Sequence, residues 1–501
     1  MKKIFALCIC ATLLFSLFGC APESKEHGDP NANREIPTGS VPLTISQTPS
    51  EHAFLGFGTE VDPHFLSENV GLVADGREVK ASDWEDIFVP RMREMNLSRI
   101  RVMVMPHYFA PTKDKYVNRA YDWDSERMKS LYQVLDSAQQ LNMYVNLTYW
   151  GADSNNSRWL VDRTDLWCVD PKVSEEEAFV EMFADLVQYL REEKGYTCVK
   201  EVTLFNEPNA IYDYYGISGH ERYTALCKKM QQAFVDKGIR EDVKFNLSDD
   251  ARSVVWLGKS AESLQGVADI LDSHSYDLGD EHTNEQMQSG IPNYDLGSYA
   301  EVLEGYDYPH MFGEFGTNNM TGSHHIDNAD TPERGFNVPR IAINMINSGA
   351  VGASYWVLFN QYYNRSDFAI NYIMEQGLWA FADEDYAVRP VYYSYSLLTR
   401  FSAIGDRVYP IPAGHPSVAA FALRSADDKW SYFVTNDSDS AISVSFLNET
   451  LFPETMDKYV YVESDVPTDG KQIGASDTIP ANGRVLTDSI PARGFVVYSD
   501  R

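Results

Sequence analysis

A (β/α)8 TIM barrel followed by an all-β sandwich is the α/β architecture this sequence predicts, and three observations carry it. Eight short apolar runs alternate with amphipathic helical patterns between about residues 50 and 400. Two of those runs close on a glutamate, Glu207 in Thr203-Leu204-Phe205-Asn206-Glu207-Pro208 and Glu314 in Met311-Phe312-Gly313-Glu314-Phe315-Gly316. Their separation, 314 minus 207 or 107 residues, fits three strand-plus-helix units of about 35 residues each. Beyond Phe401 the pattern changes to short alternating runs split by Asp, Asn, Gly and Pro, as in an all-β domain.

The elements follow in order. Strands are expected at 54–60, 98–105, 143–149, 199–206, 243–248, 268–276, 310–313 and 352–357. Helices are expected at 84–95, 126–141, 221–236 and 333–347, with a last one from Pro390. Ser174, with Glu177 three residues on, predicts a capping box opening a further helix through Arg191. The sandwich is drawn from runs at 418–423, 430–434 and 494–498, and 41–45 is a candidate extra strand for it. The expected organisation is a signal at 1–19, a flexible tether at 20–49, the barrel at 50–402 and the sandwich at 403–501.

The signal is read from Lys2 and Lys3 ahead of an apolar run at 4–18, too short to span a bilayer comfortably. Its ending, Leu17-Phe18-Gly19-Cys20, resembles a bacterial lipobox, which implies cleavage before Cys20 and lipidation of its sulfur. An ordinary secretory signal or an uncleaved anchor is the alternative. Export is expected either way, with a lipid anchor in a bacterial membrane, the outer membrane or cell surface, as the favoured location. Residues 21–39 hold Pro, Glu, Asn and Gly with almost no large apolar side chains, as in a tether.

The formal net charge of −31, from 73 acidic and 42 basic residues, repels polyanions over most of the surface and argues against nucleic acid. A neutral partner fits better. Aromatic residues make up 13% of the chain, and many sit beside loop-type Asn, Asp and Gly, where rings stack on sugar faces or pack half-buried. Beyond the signal and the lipid site Cys20, only Cys168, Cys198 and Cys227 remain, too few for a disulfide framework, with one bridge left open. No spacing suggests a metal site, and no cofactor or protein partner is expected.

A carboxylate just past a buried strand and followed by Pro or Gly sits where the chain turns out of the sheet and faces a cleft. Two such carboxyls are what glycosidic bond cleavage needs, one to protonate the departing oxygen and one to attack or to activate water. Asn206-Glu207-Pro208 at the end of the fourth strand and Glu314 at the end of the seventh resemble the clan A retaining glycoside hydrolases. The Gly313-Glu314-Phe315-Gly316 context is similar to family five cellulases and mannanases, and the barrel-plus-sandwich layout to families thirty and thirty-nine.

The resemblance implies Glu207 as general acid/base and Glu314 as the nucleophile of a covalent glycosyl-enzyme. It further implies Arg101 and Tyr276 as donors to Glu314, Asn206 on the sugar 2-hydroxyl, and Trp356 as the platform under the cleaved sugar. Arg99 shares the face of Arg101 and is assigned an ion pair lower in the barrel. His274, two residues before Tyr276, is expected to contact substrate, as is Trp150. Of the lesser candidates, Glu60 either reaches substrate or bonds a loop, and Asp249 and Asp250 either bind a sugar hydroxyl or a cation or form a solvated loop pair, the latter favoured. Tyr149, Tyr212, Tyr214, Tyr215, Tyr362 and Tyr363 are candidate rim aromatics. The expected activity is hydrolysis of a β-linked poly- or oligosaccharide, β-glucan or β-mannan favoured. A non-catalytic glycan-binding lipoprotein and a transglycosylase remain as alternatives, and loops at 151–173 and 279–299 leave endo against exo action open.

Overall fold

Strands buried on both faces must place every polar side chain against a partner, and that requirement shapes this molecule. The computed structural model describes residues 36–501 apart from 151–156, 165–168, 213–218, 277, 280, 291–294, 318–319, 322–324, 327, 366–369 and 413. The expected signal, Cys20, Cys168, Tyr214 and Tyr215 therefore lie outside the described residues. Eight strands, β1 (Gly56–Val61), β2 (Arg99–Val104), β3 (Tyr144–Tyr149), β4 (Val199–Thr203), β5 (Lys244–Ala251), β6 (Ile270–Ser275), β7 (His310–Phe315) and β8 (Gly352–Tyr355), close into one barrel in chain order. Every neighbouring pair is parallel.

Each barrel strand is followed by a helix: α1 (Val89–Glu94), α2 (Glu126–Gln140), α3 (Glu176–Gln188), α4 (Gly219–Asp236), α5 (Val254–Ser263), α6 (Leu296–Leu303), α7 (Pro332–Asn347) and α8 (Pro390–Arg400). Side-chain caps start four of them: Ser125 for α2, Ser253 for α5, Asp295 for α6 and Thr331 for α7 each accept from a backbone N–H three residues on. The capping box expected at Ser174 does not form. Residues Val173–Glu175 make a 3-10 turn, and α3 begins at Glu176 without a side-chain cap. The Ser174 hydroxyl donates instead to the neighbouring Glu175 carboxylate at 3.4 Å, and Lys113 Nζ donates to the same carboxylate at 2.6 Å.

Alternation along the strands sends apolar residues out to the helices and polar ones to the axis. On β2, Ile100, Val102 and Val104 join the apolar core, while Arg99 and Arg101, both 1% exposed, enter the barrel. Arg99 ion-pairs with Glu201 of β4. Asn246 of β5 donates to Glu201 at 2.9 Å and to Asp272 of β6 at 2.7 Å. A layer of paired charge thus supports the upper end of the barrel.

The C-terminal region is two sheets. Six antiparallel strands run in the order Arg407–Ile411, Val418–Arg424, Trp430–Asn436, Gly494–Ser499, Thr455–Val462, Asp477–Pro480. The second sheet joins Ile442–Leu447 to Val485–Ile490 on one side and, in parallel, to Val41–Thr44 on the other. Phe421, Phe433 and Phe495 on one face of the large sheet join the barrel core, and Ala420, Tyr432, Val434 and Val496 on the other face pack on the small sheet. Period-2 alternation therefore makes one sheet serve two cores.

The seam is close-fitting at α7. A Cβ on Gly335 would lie 2.0 Å from the hydroxyl oxygen of Tyr461, which donates to the Pro332 carbonyl at 2.7 Å. Gly335→Ala is expected to cost about 1–3 kcal/mol of stability by overpacking, read as a lower urea midpoint at unchanged m-value. Cys198 and Cys227 are both buried free thiols, so the bridge left open in the sequence does not join these two.

Candidate active site

Glu207 sits just past the C-terminal end of β4, in a left-handed conformation with φ of +47°. That conformation costs a non-glycine residue on the order of 1–3 kcal/mol and needs support from its surroundings. Support comes from its backbone N–H, which hydrogen-bonds to the Asp249 carboxylate. Glu314 stands on β7 after a bulge, where Ser273 of β6 pairs with Phe312 and His274 pairs with Glu314, skipping Gly313. Gly313 allows this because the Asp272 carboxylate lies where a Cβ would be, 2.1 Å away, and accepts the Gly313 N–H at 2.5 Å. An oxygen of Glu207, an oxygen of Glu314 and a ring nitrogen of His274 all lie within 4.8 Å of one another.

Arg101 reaches four acceptors. Its Nη1 donates to Glu314 at 2.5 Å and to Glu60 at 2.7 Å, and its Nη2 donates to Asp249 at 2.7 Å and to the Asn206 carbonyl oxygen at 2.9 Å. Tyr276 donates its hydroxyl to the other oxygen of Glu314 at 2.9 Å. Glu314 is 5% exposed and Glu207 17% exposed in their side chains, so Glu207 is the more open to the cleft. Trp150 and Trp356 stack with centroids 5.4 Å apart and planes 10° from parallel, and the Arg101 guanidinium lies 5.9 Å from the Trp150 ring centre.

Electrostatics at the site pull in opposite directions. Burial raises the Glu314 carboxyl above its ordinary range, while the His274 and Arg101 cations pull it down. Burial likewise pushes Glu60 well up against the pull of Arg101, and Glu60 Oε1 has no hydrogen-bond partner among the described residues. Burial works against a charged His274, but Glu314 and Asp249 outweigh it and hold the imidazolium well above the usual histidine range. Two sets of groups, Glu207 with His274 and Glu314, and Asp249 with Asp272 and His274, are close enough to share a cation, yet Arg101 and His274 already supply positive charge there.

Several expectations are corrected by these positions. His274, expected at the sugar, is fully buried, with Nδ1 2.9 Å from Glu207 and Nε2 3.3 Å from Asp249, so both nitrogens face carboxylates. Asp249 and Asp250 are not a solvated loop pair. A bulge at Ser248 and Asp249, both with positive φ, extends β5 to Ala251 and buries both aspartates completely. Glu60 is buried beneath Arg101 rather than presented at the rim. Tyr149 is core, its ring 4.2 Å from that of Phe183, and Tyr363 stacks on His64. Tyr362 is half-buried against Phe381. Arg99 pairs with Glu201 in the lower layer, Arg101 and Tyr276 bond Glu314, Arg101 also bonds Asn206, and Trp150, beside Arg101, stacks on Trp356.

Burial raises Asp250 to about 7 despite donors from Ser253, Ser273 and Ser248. A carboxyl raised from its unfolded value contributes stability that is full below about pH 4 and is lost as pH climbs through about 7. Asp250→Asn removes that slope. The unfolding free energy of the variant relative to the parent is expected to rise by about 1.4 kcal/mol per pH unit between those limits, measured by urea titration at several pH values.

A cavity of about 530 Å³ lies elsewhere, between the barrel and the sandwich, lined by Asn284, Gln288, Asn344, Pro410 and His415 among others. Its amides bond one another, Asn344 donating to Asn284 at 3.0 Å and Gln288 to Asn344 at 3.2 Å, which marks a seam rather than a site of chemistry.

No family model matches this sequence, and no curated protein matches it. Solved structures do. The catalytic domain of GH30 xylanase C from Talaromyces cellulolyticus superposes with a TM-score of 0.64 at 13% identity, over 91% of this chain and 99% of that one. The barrel and sandwich are folded as in that solved structure. An endo-β-1,6-glucanase matches the same barrel and sandwich at TM-score 0.63 and 14% identity, covering 93% of this chain and 95% of its own. An α-L-arabinofuranosidase from Thermotoga maritima in complex with arabinose does so at TM-score 0.63 and 12% identity, over 92% and 99%. These neighbours of shared fold carry different named substrates, and the residues of each site must be read for themselves.

Proposed function

We propose that this protein is a retaining glycoside hydrolase in which Glu207 serves as general acid/base and Glu314 as nucleophile. The observation that carries the reading is the pair of carboxylate oxygens within 4.8 Å at the C-terminal ends of β4 and β7. Double displacement uses carboxyls about 5–5.5 Å apart, whereas inversion spreads them to roughly 6.5–9.5 Å to admit a water. In this reading Arg101 and Tyr276 aim N–H and O–H groups at the attacking oxygens of Glu314. Glu207 stands on the open side to protonate the departing oxygen and later to take a proton from water. Asn206, oriented by Arg101, meets the 2-hydroxyl, and the stacked Trp150 and Trp356 give an apolar face to a sugar ring.

The substrate class we favour is a β-linked glucan or mannan. The reading also includes export and lipid attachment at Cys20, tested by loss of radiolabelled palmitate on Cys20→Ser. The deciding experiment is a hydrolysis screen of the mature protein on β-glucans including β-1,6-glucan, mannans, xylans, arabinans and aryl glycosides, beside Glu207→Gln and Glu314→Gln. Turnover by the parent and its loss in both variants supports the reading. Equal glycan binding by all three proteins with no turnover would replace it with a non-catalytic binding role.

A further inference from the structure

We propose that Asp249 is a positioning residue that acts through His274 on Glu207, forming a line of carboxylate, imidazole and carboxylate across the ends of β5, β6 and β4. The inference rests on the glycosidase reading and deepens it. Asp249 is completely buried, and each of its contacts is to a group that touches the two glutamates. It accepts from Arg101, which holds Glu314, and from His274 Nε2, whose Nδ1 faces Glu207; it also accepts the Glu207 backbone N–H. A residue chosen only to fill the barrel would need none of the three.

The geometry sets a chemical requirement. Both His274 nitrogens face carboxyl oxygens, and the Asp249 carboxylate only accepts, so Nε2 carries an N–H and Nδ1 shares one proton with Glu207, accepting it from the acid or donating it to the carboxylate. Around it stand Glu60 from β1, Arg101 from β2, Glu207 past β4, Asp249 and Asp250 from β5, Asp272 from β6 and Glu314 from β7. Of these, only Asp249 touches Nε2, and it is completely buried. Its carboxylate holds the proton on Nε2, and its oxygen fixes the ring plane so that Nδ1 points to Glu207. The bulge with positive φ at Ser248 and Asp249 is the backbone device that turns this carboxylate inward. The same carboxylate supports the left-handed backbone of Glu207, so side chain and main chain of the acid/base are held from one point.

The test is the histidine titration and the kinetics of the parent and Asp249→Asn. Nitrogen NMR of the full mature chain with labelled histidine, the His274 signal assigned by its loss in His274→Gln, is expected to show a midpoint well above 6.5 in the parent. In Asp249→Asn it is expected to fall by about one pH unit or more. On aryl glycosides, kcat is expected to fall about tenfold further for a phenol-type leaving group than for dinitrophenol, with KM within about threefold, because only the poorer leaving group needs the acid. An ordinary His274 midpoint in the parent overturns the proposal without any variant, as does an unchanged midpoint in Asp249→Asn or an equal loss on both leaving groups. If the parent cleaves no glycoside, the hydrolase reading falls, and the titration alone then decides whether Asp249 governs His274.

Discussion

Glu314→Gln is expected to lower kcat/KM by on the order of 10⁵-fold on every glycoside the parent cleaves, with no covalent intermediate formed. The reason is positional. Arg101 Nη1 and the Tyr276 hydroxyl bracket the two Glu314 oxygens, and an amide in that place has lost its charge and one acceptor, and it presents its NH2 group to a donor. Glu207→Gln should behave differently. It is expected to lose about 10³-fold on substrates with poor leaving groups, yet to release a burst of dinitrophenolate from an activated glycoside, because glycosylation then needs no acid. Mass spectrometry after incubation with an activated 2-fluoroglycoside checks both: the label should sit on the Glu314 peptide in the parent and be absent from Glu314→Gln. Labelling of any other carboxylate would assign the nucleophile elsewhere.

Arg101→Leu is expected to cost about 3–5 kcal/mol of stability together with nearly all activity, the second largest effect. The side chain neutralises Glu60, Asp249 and Glu314 from inside the barrel, and removing one partner of a buried ion pair leaves uncompensated charge. Those carboxyls would then bind protons more tightly folded than unfolded. Stability contributed by such raised groups is present at low pH and lost as pH rises through their folded values, so the deficit should be larger at pH 8 than at pH 5. Urea unfolding at the two pH values reads this directly. Arg101→Lys is expected to recover part of the stability and little activity, because one ammonium cannot span the Nη1 pair of Glu314 and Glu60 and the Nη2 pair of Asn206 and Asp249.

The barrel strands were legible because each is short, bounded by turn residues and apolar on its outer face, and β1 to β8 begin within two residues of where the apolar runs begin. The glutamates were legible because Pro208 and Gly316 mark where the chain leaves the sheet. Arg99 and Arg101 were separable because residues two apart share a face and differ in depth. What failed was the end of β5, where a bulge extends the strand. The extra residue in β5 breaks the period of two, so Asp249 and Asp250 looked like the start of a loop, although Asn246, Ser248 and Asp250 continue the polar alternation of a strand.

Composition and local pattern by themselves determined the eight strand-and-helix units, the sandwich that follows and the two glutamates at strand ends, since each depends on neighbours within about ten residues. Only the tertiary structure decided that His274 is enclosed by carboxylates, that Glu60 lies under Arg101 and that Asp249 supports Glu207. Those facts depend on charges brought together from β1, β2, β4, β5, β6 and β7 into the buried end of the barrel. Burial there raises or lowers each proton affinity according to partners that lie tens to hundreds of residues apart in the chain.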